Sequence, residues 1–294
     1  MKTTSDRNLE EEISREKETR LVCEKIVSSL KTEVFKPAWK NRAGTAALYC
    51  ADALRFMDAL IAQYPNGIFD MIFADPPYYV SGGGSIGGAG KKNIVRDRFN
   101  ELEKNHRFNL NWLERCQKLL RPNGSIWVSG TYHAVYSAGF AMQQLGMRIL
   151  NNITWEKSNP PPNLSCRCFT HSTETLIWAA RDQHSKYRFN DQEMRKDCGG
   201  KQMKSVWLFT AASKQEKVCG KHPTQKPLAL LERVIESCTL PGELIFDPFA
   251  GSCTTGVAAL LRNRCFIGCE LDEKYVRLSQ CRFERHEKPL VDLE

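Results

Sequence analysis

Ile68-Phe69-Asp70-Met71-Ile72-Phe73-Ala74-Asp75-Pro76-Pro77-Tyr78 is an apolar run stopped by a rigid, proline-locked turn. A short run of this kind, bounded by turn residues, reads as a buried strand. A second run, Leu244-Ile245-Phe246, closes in Asp247-Pro248-Phe249-Ala250-Gly251-Ser252, and a helical pattern follows directly. Outward from these two stretches the pattern alternates. Strands are predicted at 46–50, 68–74, 124–129, 149–156, 173–179, 244–247 and 265–270. Helices are predicted at 52–63, 105–120, 132–145, 225–239, 254–263 and 272–285. Strands alternating with amphipathic helices make an α/β fold, a doubly wound and mostly parallel sheet of seven strands. Such a sheet binds ligands at the carboxyl ends of its strands, where the strand order reverses, and both turns sit at carboxyl ends.

The chain has 294 residues, enough for one large domain or one domain with an insert. Its hydrophobic fraction of 41% and mean hydropathy of −0.44 are those of an ordinary globular protein. No apolar stretch reaches the length of a membrane span, and Met1-Lys2-Thr3-Thr4-Ser5-Asp6-Arg7 does not read as a signal peptide, so a cytoplasmic location is expected. The 12 cysteines are scattered and Cys166-Arg167-Cys168 is too tightly spaced for a zinc pattern; reduced thiols and no metal site are expected.

Residues 1–44 form a charged leader with helical spacing at Leu21, Val22, Ile26, Val27 and Leu30, read as a solvated helix beside a domain over 45–294. Two regions break the alternation. Residues 81–92 are glycine-rich, directly after Tyr78, and are expected to act as a lid. Residues 181–221 are polar and basic, the candidate for an inserted recognition element. From Arg181 to Lys226 there are 11 Lys/Arg against 5 Asp/Glu, so most of the net charge of +8 lies in that stretch. Arg188, Arg195, Lys196, Lys201 and Lys204 are its candidate contacts to a polyanion.

The first turn suits a planar amine. The exocyclic amine of a nucleobase is a poor nucleophile because its lone pair is delocalised into the ring. Asp75 offers a carboxylate acceptor and Pro76 a carbonyl acceptor, while Pro76 and Pro77 stiffen the turn so that neither must be organised during reaction. The Tyr78 ring can stack on the base. The second turn suits a nucleoside cofactor: small residues admit a close ligand, and the helix that follows presents free N–H groups. Glu270, about twenty positions beyond the turn, falls where a ribose diol is held.

With Gly220-Lys221-His222-Pro223-Thr224-Gln225-Lys226-Pro227 standing just before the cofactor turn, the chain resembles the β-class amino-methyltransferases of DNA over about residues 45–285. That resemblance implies S-adenosylmethionine as cofactor and a circularly permuted, Rossmann-like methyltransferase fold. It places Asp75, Pro76, Pro77 and Tyr78 at the target base. It places Asp247, Phe249, Gly251, Ser252, Thr254 and Thr255 around the cofactor's methionine end, Glu270 on the ribose, Asp52 and Ala53 by the adenine, and Thr224 and Lys226 at the pocket's closure. Cys253 departs from the pattern, since a second glycine is usual there.

Asn151-Asn152-Ile153-Thr154-Trp155 and the stretch 163–175 resemble the second, N6-adenine methyltransferases of DpnII-type restriction systems. This implies methylation within GATC, on double-stranded and also single-stranded DNA, with Asn163, Arg167 or Gln202 as candidates for base readout. It implies a homodimer and a cognate restriction endonuclease as partners. N4-cytosine methylation uses the same architecture, more often with serine in place of Asp75, and stays open. So does a catalytically inactive DNA-binding relative.

Overall fold

The computed structural model describes residues 35–77, 94–132 and 134–286, positions 21, 24 and 25, and for 94–101 the backbone. Tyr78, the 81–92 stretch and nearly all of the leader up to residue 34 lie outside the described residues.

The strands are β1 (Pro37–Lys40), β2 (Ala46–Cys50), β3 (Phe69–Ala74), β4 (Leu120–Gly130), β5 (Arg148–Lys157), β6 (Thr173–Ala180), β7 (Val206–Phe209), β8 (Leu244–Asp247) and β9 (Cys265–Glu270). They form one sheet in the order β1-β2-β9-β8-β3-β4-β6-β5-β7. The helices are α1 (Ala53–Gln63), α2 (Ile94–Leu119), α3 (Val135–Gln144), α4 (Asp191–Lys196), α5 (Leu228–Cys238), α6 (Thr254–Leu261) and α7 (Glu273–His286). All the expected strands are present, and nine replace the expected seven because β1 and β7 are added at the two edges. β1 falls inside the stretch read as a helical leader: Pro37–Lys40 pairs antiparallel with β2, and Trp39 stacks on Phe283 with ring centroids 4.0 Å apart.

Side chains of period two give the sheet two cores. Tyr49, Ile72, Phe246 and Ile267 point to one face and pack with Phe56 and Met57 of α1 and Trp112 and Leu113 of α2. Leu48, Met71, Ile245 and Phe266 point to the other, against Leu230 and Val234 of α5, Val257 of α6 and Phe283 of α7. The second layer is close-fitting at Gly256, where a Cβ would come within 2.6 Å of Phe283 and 2.7 Å of Phe266. Any side chain there would push α6 off the sheet.

β3 and β8 are parallel neighbours, with Met71 opposite Ile245 and Ile72 opposite Phe246. From β3 the chain proceeds to β4 on one side, and from β8 to β9 on the other. The strand order reverses between them. The Asp75 turn and the Asp247 turn are the continuations of these two strands at the carboxyl edge, so both flank the switch point.

Candidate active site

A cavity of about 600 Å³ opens at the switch point, a size that suits a small-molecule ligand. Every described residue expected at the target base or the cofactor lines it: Asp75, Pro76 and Pro77, Asp52 and Ala53, Asp247, Phe249, Gly251, Ser252, Thr254 and Thr255 of the second turn, Glu270, and Thr224 and Lys226. Residues that sequence reasoning did not single out line it too, among them Phe108, His222, Asp272 and Tyr275. His222 packs edge-on to Tyr275 at 4.3 Å.

The second turn is held from several sides. Asp247, buried at the end of β8, accepts the Phe249 amide at 3.0 Å and the Thr255 hydroxyl at 2.6 Å. Glu270, at the end of β9, accepts the Gly251 amide through Oε2 and the Asp272 amide through Oε1, each at 2.8 Å. From α7, Ser279 donates to the Gly251 carbonyl and Arg282 to the Ser252 carbonyl. Gly251 has φ +53°, and a Cβ there would lie 3.1 Å from His222 Nε2, so glycine both permits the turn and keeps that wall clear. The Asp52 side chain caps α1 by accepting the Arg55 amide at 3.0 Å.

Cys253 explains its own oddity. It has φ +56°, the left-handed region where glycine is at ease, and it is fully buried. Burial and the neighbouring Asp247 charge push its thiol well above the usual range, so it is an inert packing group.

The first turn holds the largest surprise. Lys226, expected to close the cofactor pocket, is buried and directs its ammonium to Asp75 Oδ2 at 2.5 Å. The same ammonium lies 3.4 Å from Glu174 Oε2, and Glu174 Oε1 takes the Lys157 ammonium at 2.6 Å. Burial works against the Lys226 charge, but the Asp75 and Glu174 carboxylates outweigh it and hold the pKa above the ordinary lysine value. Burial is also the main force that pushes Asp247 up to about 7, opposed by the Thr255 and Phe249 hydrogen bonds and helped by the Asp75 and Glu270 charges.

Two expectations are corrected. Cys219 and Cys281 form a disulfide, tying the 219–227 loop to α7, whereas reduced thiols were expected throughout; the remaining described cysteines are free. The basic stretch does not lie on one surface. Residues 181–200 run along the amino edge of the sheet, away from the cavity: the Arg181 amide meets the Gly124 carbonyl and the Asn190 amide the Ser237 carbonyl. There Arg188 faces Glu243, and Arg195 and Lys196 pair with Asp191 and Glu193. Only after β7 does the chain return to the carboxyl edge. The β5–β6 connection, 158–172, is at that edge from the start, because Lys157 and Glu174 flank it. It exposes Leu164, Arg167 and Phe169, while Asn163 is engaged within it, donating to the Cys168 carbonyl at 2.8 Å and accepting from Ser165.

The fold and the cavity define an enzyme of the DNA methylase class. The family model described as DNA methylase, covering N6 and N4 methyltransferases, matches residues 69–281, and the chain belongs to that family. Among similar proteins, the type II methyltransferase M2.DpnII of Streptococcus pneumoniae is 48% identical over 220 residues, 73% of this chain and 82% of that one. The type II methyltransferase M2.MboI of Moraxella bovis is 41% identical over 257 residues, 85% and 91% of the two chains. The solved complex of M1.HpyAVI with SAM superposes with a TM-score of 0.62 at 29% identity, covering 81% of this chain and 98% of that one. The cytosine-N4-specific PvuII methyltransferase, at 20% identity and a TM-score of 0.67 over 84% and 88% of the chains, shares the fold. Among the described residues, no helix is long and apolar enough to cross a membrane.

Proposed function

We propose that this protein transfers a methyl group from S-adenosylmethionine to N6 of adenine in DNA, within GATC. The observation that carries the reading is the meeting of the Asp75-Pro76-Pro77 turn and the Asp247–Thr255 turn in one cavity, at the ends of adjacent parallel strands.

The cavity suits that cofactor. S-adenosylmethionine carries two positive centres, and Asp75, Asp247, Glu270 and Asp272 line the wall. Gln225 Oε1, buried in the same wall, has no hydrogen-bond partner among the described residues and could accept one from a ligand. Glu270 would hold the ribose, Asp52 and Ala53 the adenine, and the 249–255 turn the methionine end. When bound, the cofactor supplies a methyl on a sulfonium: the C–S bond breaks as the amine lone pair forms the C–N bond, leaving a thioether. The Asp75 carboxylate and the Pro76 carbonyl accept the N–H groups and turn the lone pair toward the methyl. The proton that the methylated nitrogen sheds leaves to water. Tyr78, outside the described residues, is the ring assigned to stack on the base. A base paired in a duplex cannot enter such a pocket, so the target is flipped out or already single-stranded.

Recognition we assign to the carboxyl-edge part of the 181–221 segment together with the 158–172 loop, whose Arg167 stands clear of the sheet. The resemblance of 151–155 and 163–175 to DpnII-type enzymes supports GATC, a cytoplasmic setting, a cognate endonuclease and a homodimer; sedimentation as monomer alone would remove the last. The deciding experiment is transfer of labelled methyl from S-adenosylmethionine to unmethylated DNA, followed by nucleoside mass analysis, with Asp75→Ala as control. N6-methyladenine that vanishes in the control is expected. N4-methylcytosine would overturn the substrate, and unlabelled DNA would favour an inactive DNA-binding relative.

A further inference from the structure

The four charges Lys157, Glu174, Lys226 and Asp75 alternate in sign across four elements of the fold, and none of them is far exposed: side-chain accessibilities are 18%, 13%, 6% and 15%. Lys157 ends β5, Glu174 lies opposite Trp155 on β6, Lys226 precedes α5 and Asp75 follows β3. A buried ion pair is costly unless its geometry is fixed by further partners. Here each member except the terminal ones touches two of opposite sign, at 2.6, 3.4 and 2.5 Å. Lys226 also donates to the Thr224 carbonyl at 3.4 Å, and Lys157 sits 5.1 Å from the Trp155 ring.

Resting on the methyl-transfer reading, we propose that Glu174, held by Lys157, is a positioning residue: it fixes the Lys226 ammonium against Asp75 and thereby sets the direction and charge of the carboxylate that receives the target amine. A long lysine side chain reaching Asp75 alone could swing with its rotamers. A second carboxylate, Glu174 at 3.4 Å from the same ammonium, limits that swing. The reaction gains because the Asp75 oxygen is preset rather than organised during transfer. The sheet supplies the rigidity: Glu174 is anchored in a strand paired on both sides, by β4 and β5.

The chain of contacts also governs protonation. The groups facing Lys226 are Asp75 from the β3 turn, Glu174 from β6 and, on its own loop, His222, whose pKa is lowered first by burial, with Asp75 opposing and Lys226 reinforcing that fall. Lys157 faces Glu174 from β5. Neutralising Glu174 removes one of the two charges that keep buried Lys226 protonated, so the alkaline limb of the rate profile should move to lower pH.

The test uses the full-length chain, unmethylated DNA and S-adenosylmethionine. Glu174→Gln is expected to lower kcat by roughly ten-fold to a hundred-fold, with cofactor Kd by calorimetry changed less than about two-fold, the alkaline limb of kcat shifted down, and partial recovery in Glu174→Asp. In a Lys226→Met background the same change should add little. A Glu174→Gln enzyme with wild-type kcat and pH profile would overturn the proposal. So would a full additional loss in the Lys226→Met background, because Glu174 would then not act through Lys226. A loss of cofactor binding in step with kcat and melting temperature would overturn it as well, by showing a merely structural role. An unmodified chain that methylates no DNA would sink the functional reading itself, an outcome distinct from all three.

Discussion

Glu270 accepts the Gly251 amide at 2.8 Å, so the carboxylate at the end of β9 fixes the turn at the end of β8 across two neighbouring strands. The residue assigned to the ribose is therefore also a brace for the loop assigned to the methionine end. Its two oxygens are both engaged, the other by the Asp272 amide.

Replacing Glu270 by alanine should consequently weaken S-adenosylmethionine by more than one lost contact. The removal of charge-assisted hydrogen bonds of about 1.5–3 kcal/mol corresponds to a ten-fold to hundred-fold rise in Kd. Glu270→Gln, which keeps one acceptor, should fall between. Calorimetric titration of both variants checks the order, and equal affinity in all three proteins would contradict it.

Cys253 makes the opposite kind of prediction. Its left-handed backbone costs a non-glycine residue about 1 kcal/mol or more. Cys253→Gly should bind cofactor at least as well as the natural chain, whereas Cys253→Val, branched at Cβ, should melt earlier and bind more weakly. A large loss of binding in the glycine variant would show that the buried thiol is needed for the shape of the turn.

Asp247 ties stability to pH. Its ordinary value of 3.8 rises to about 7 in the folded protein, mainly through burial. Its contribution to the stability of the cofactor-free protein is thus fully present below the unfolded value and lost as pH rises toward the folded one. Thermal melts of the cofactor-free protein should fall between about pH 4 and 7, with the slope reduced in Asp247→Asn. A cationic ligand lowers the pKa again, so binding near neutrality should release protons, seen as a dependence of calorimetric heat on buffer. An identical pH slope in Asp247→Asn would count against this account.

The Cys219–Cys281 bond closes a loop with a sequence separation of 62. Chain-entropy arguments put the stabilisation from such a loop at up to about 4 kcal/mol. Cys281→Ser should therefore unfold at lower denaturant than the natural chain under oxidising conditions, with the gap closing in reductant. A gap that persists unchanged in reductant would mean the cysteine matters for packing alone.

Much of this was legible from the chain because the signals were local. Apolar runs such as 68–74 and 244–246 stop at proline turns, and that fixed the strands and the two sides of the cavity. What escaped depended on contacts remote in sequence. Lys226 and Asp75 are 151 positions apart, and nothing in His222–Pro227 says which carboxylate its lysine will meet. Glu174 looked like an ordinary strand residue in Thr173–Ala180. Cysteine spacing does not encode pairing, so Cys219 and Cys281 gave no sign of each other. The basic stretch looked continuous because charge counts are blind to the sheet's direction: β6 runs antiparallel to β4, so the chain leaves it at the far edge, where Arg188 and Arg195 follow. β1 and β7, four residues each, were too short to show a period.

The switch point between β3 and β8 works as a ruler. Neighbouring strands in any sheet stand about 4.8 Å apart, and in the proposed reaction each would carry one reactant at its tip. The spacing of the two turns thus follows the repeat of the backbone hydrogen-bond ladder, a dimension that mutation of side chains cannot stretch. Surface loops can then diverge to read different DNA sequences while the spacing of the chemistry stays the same.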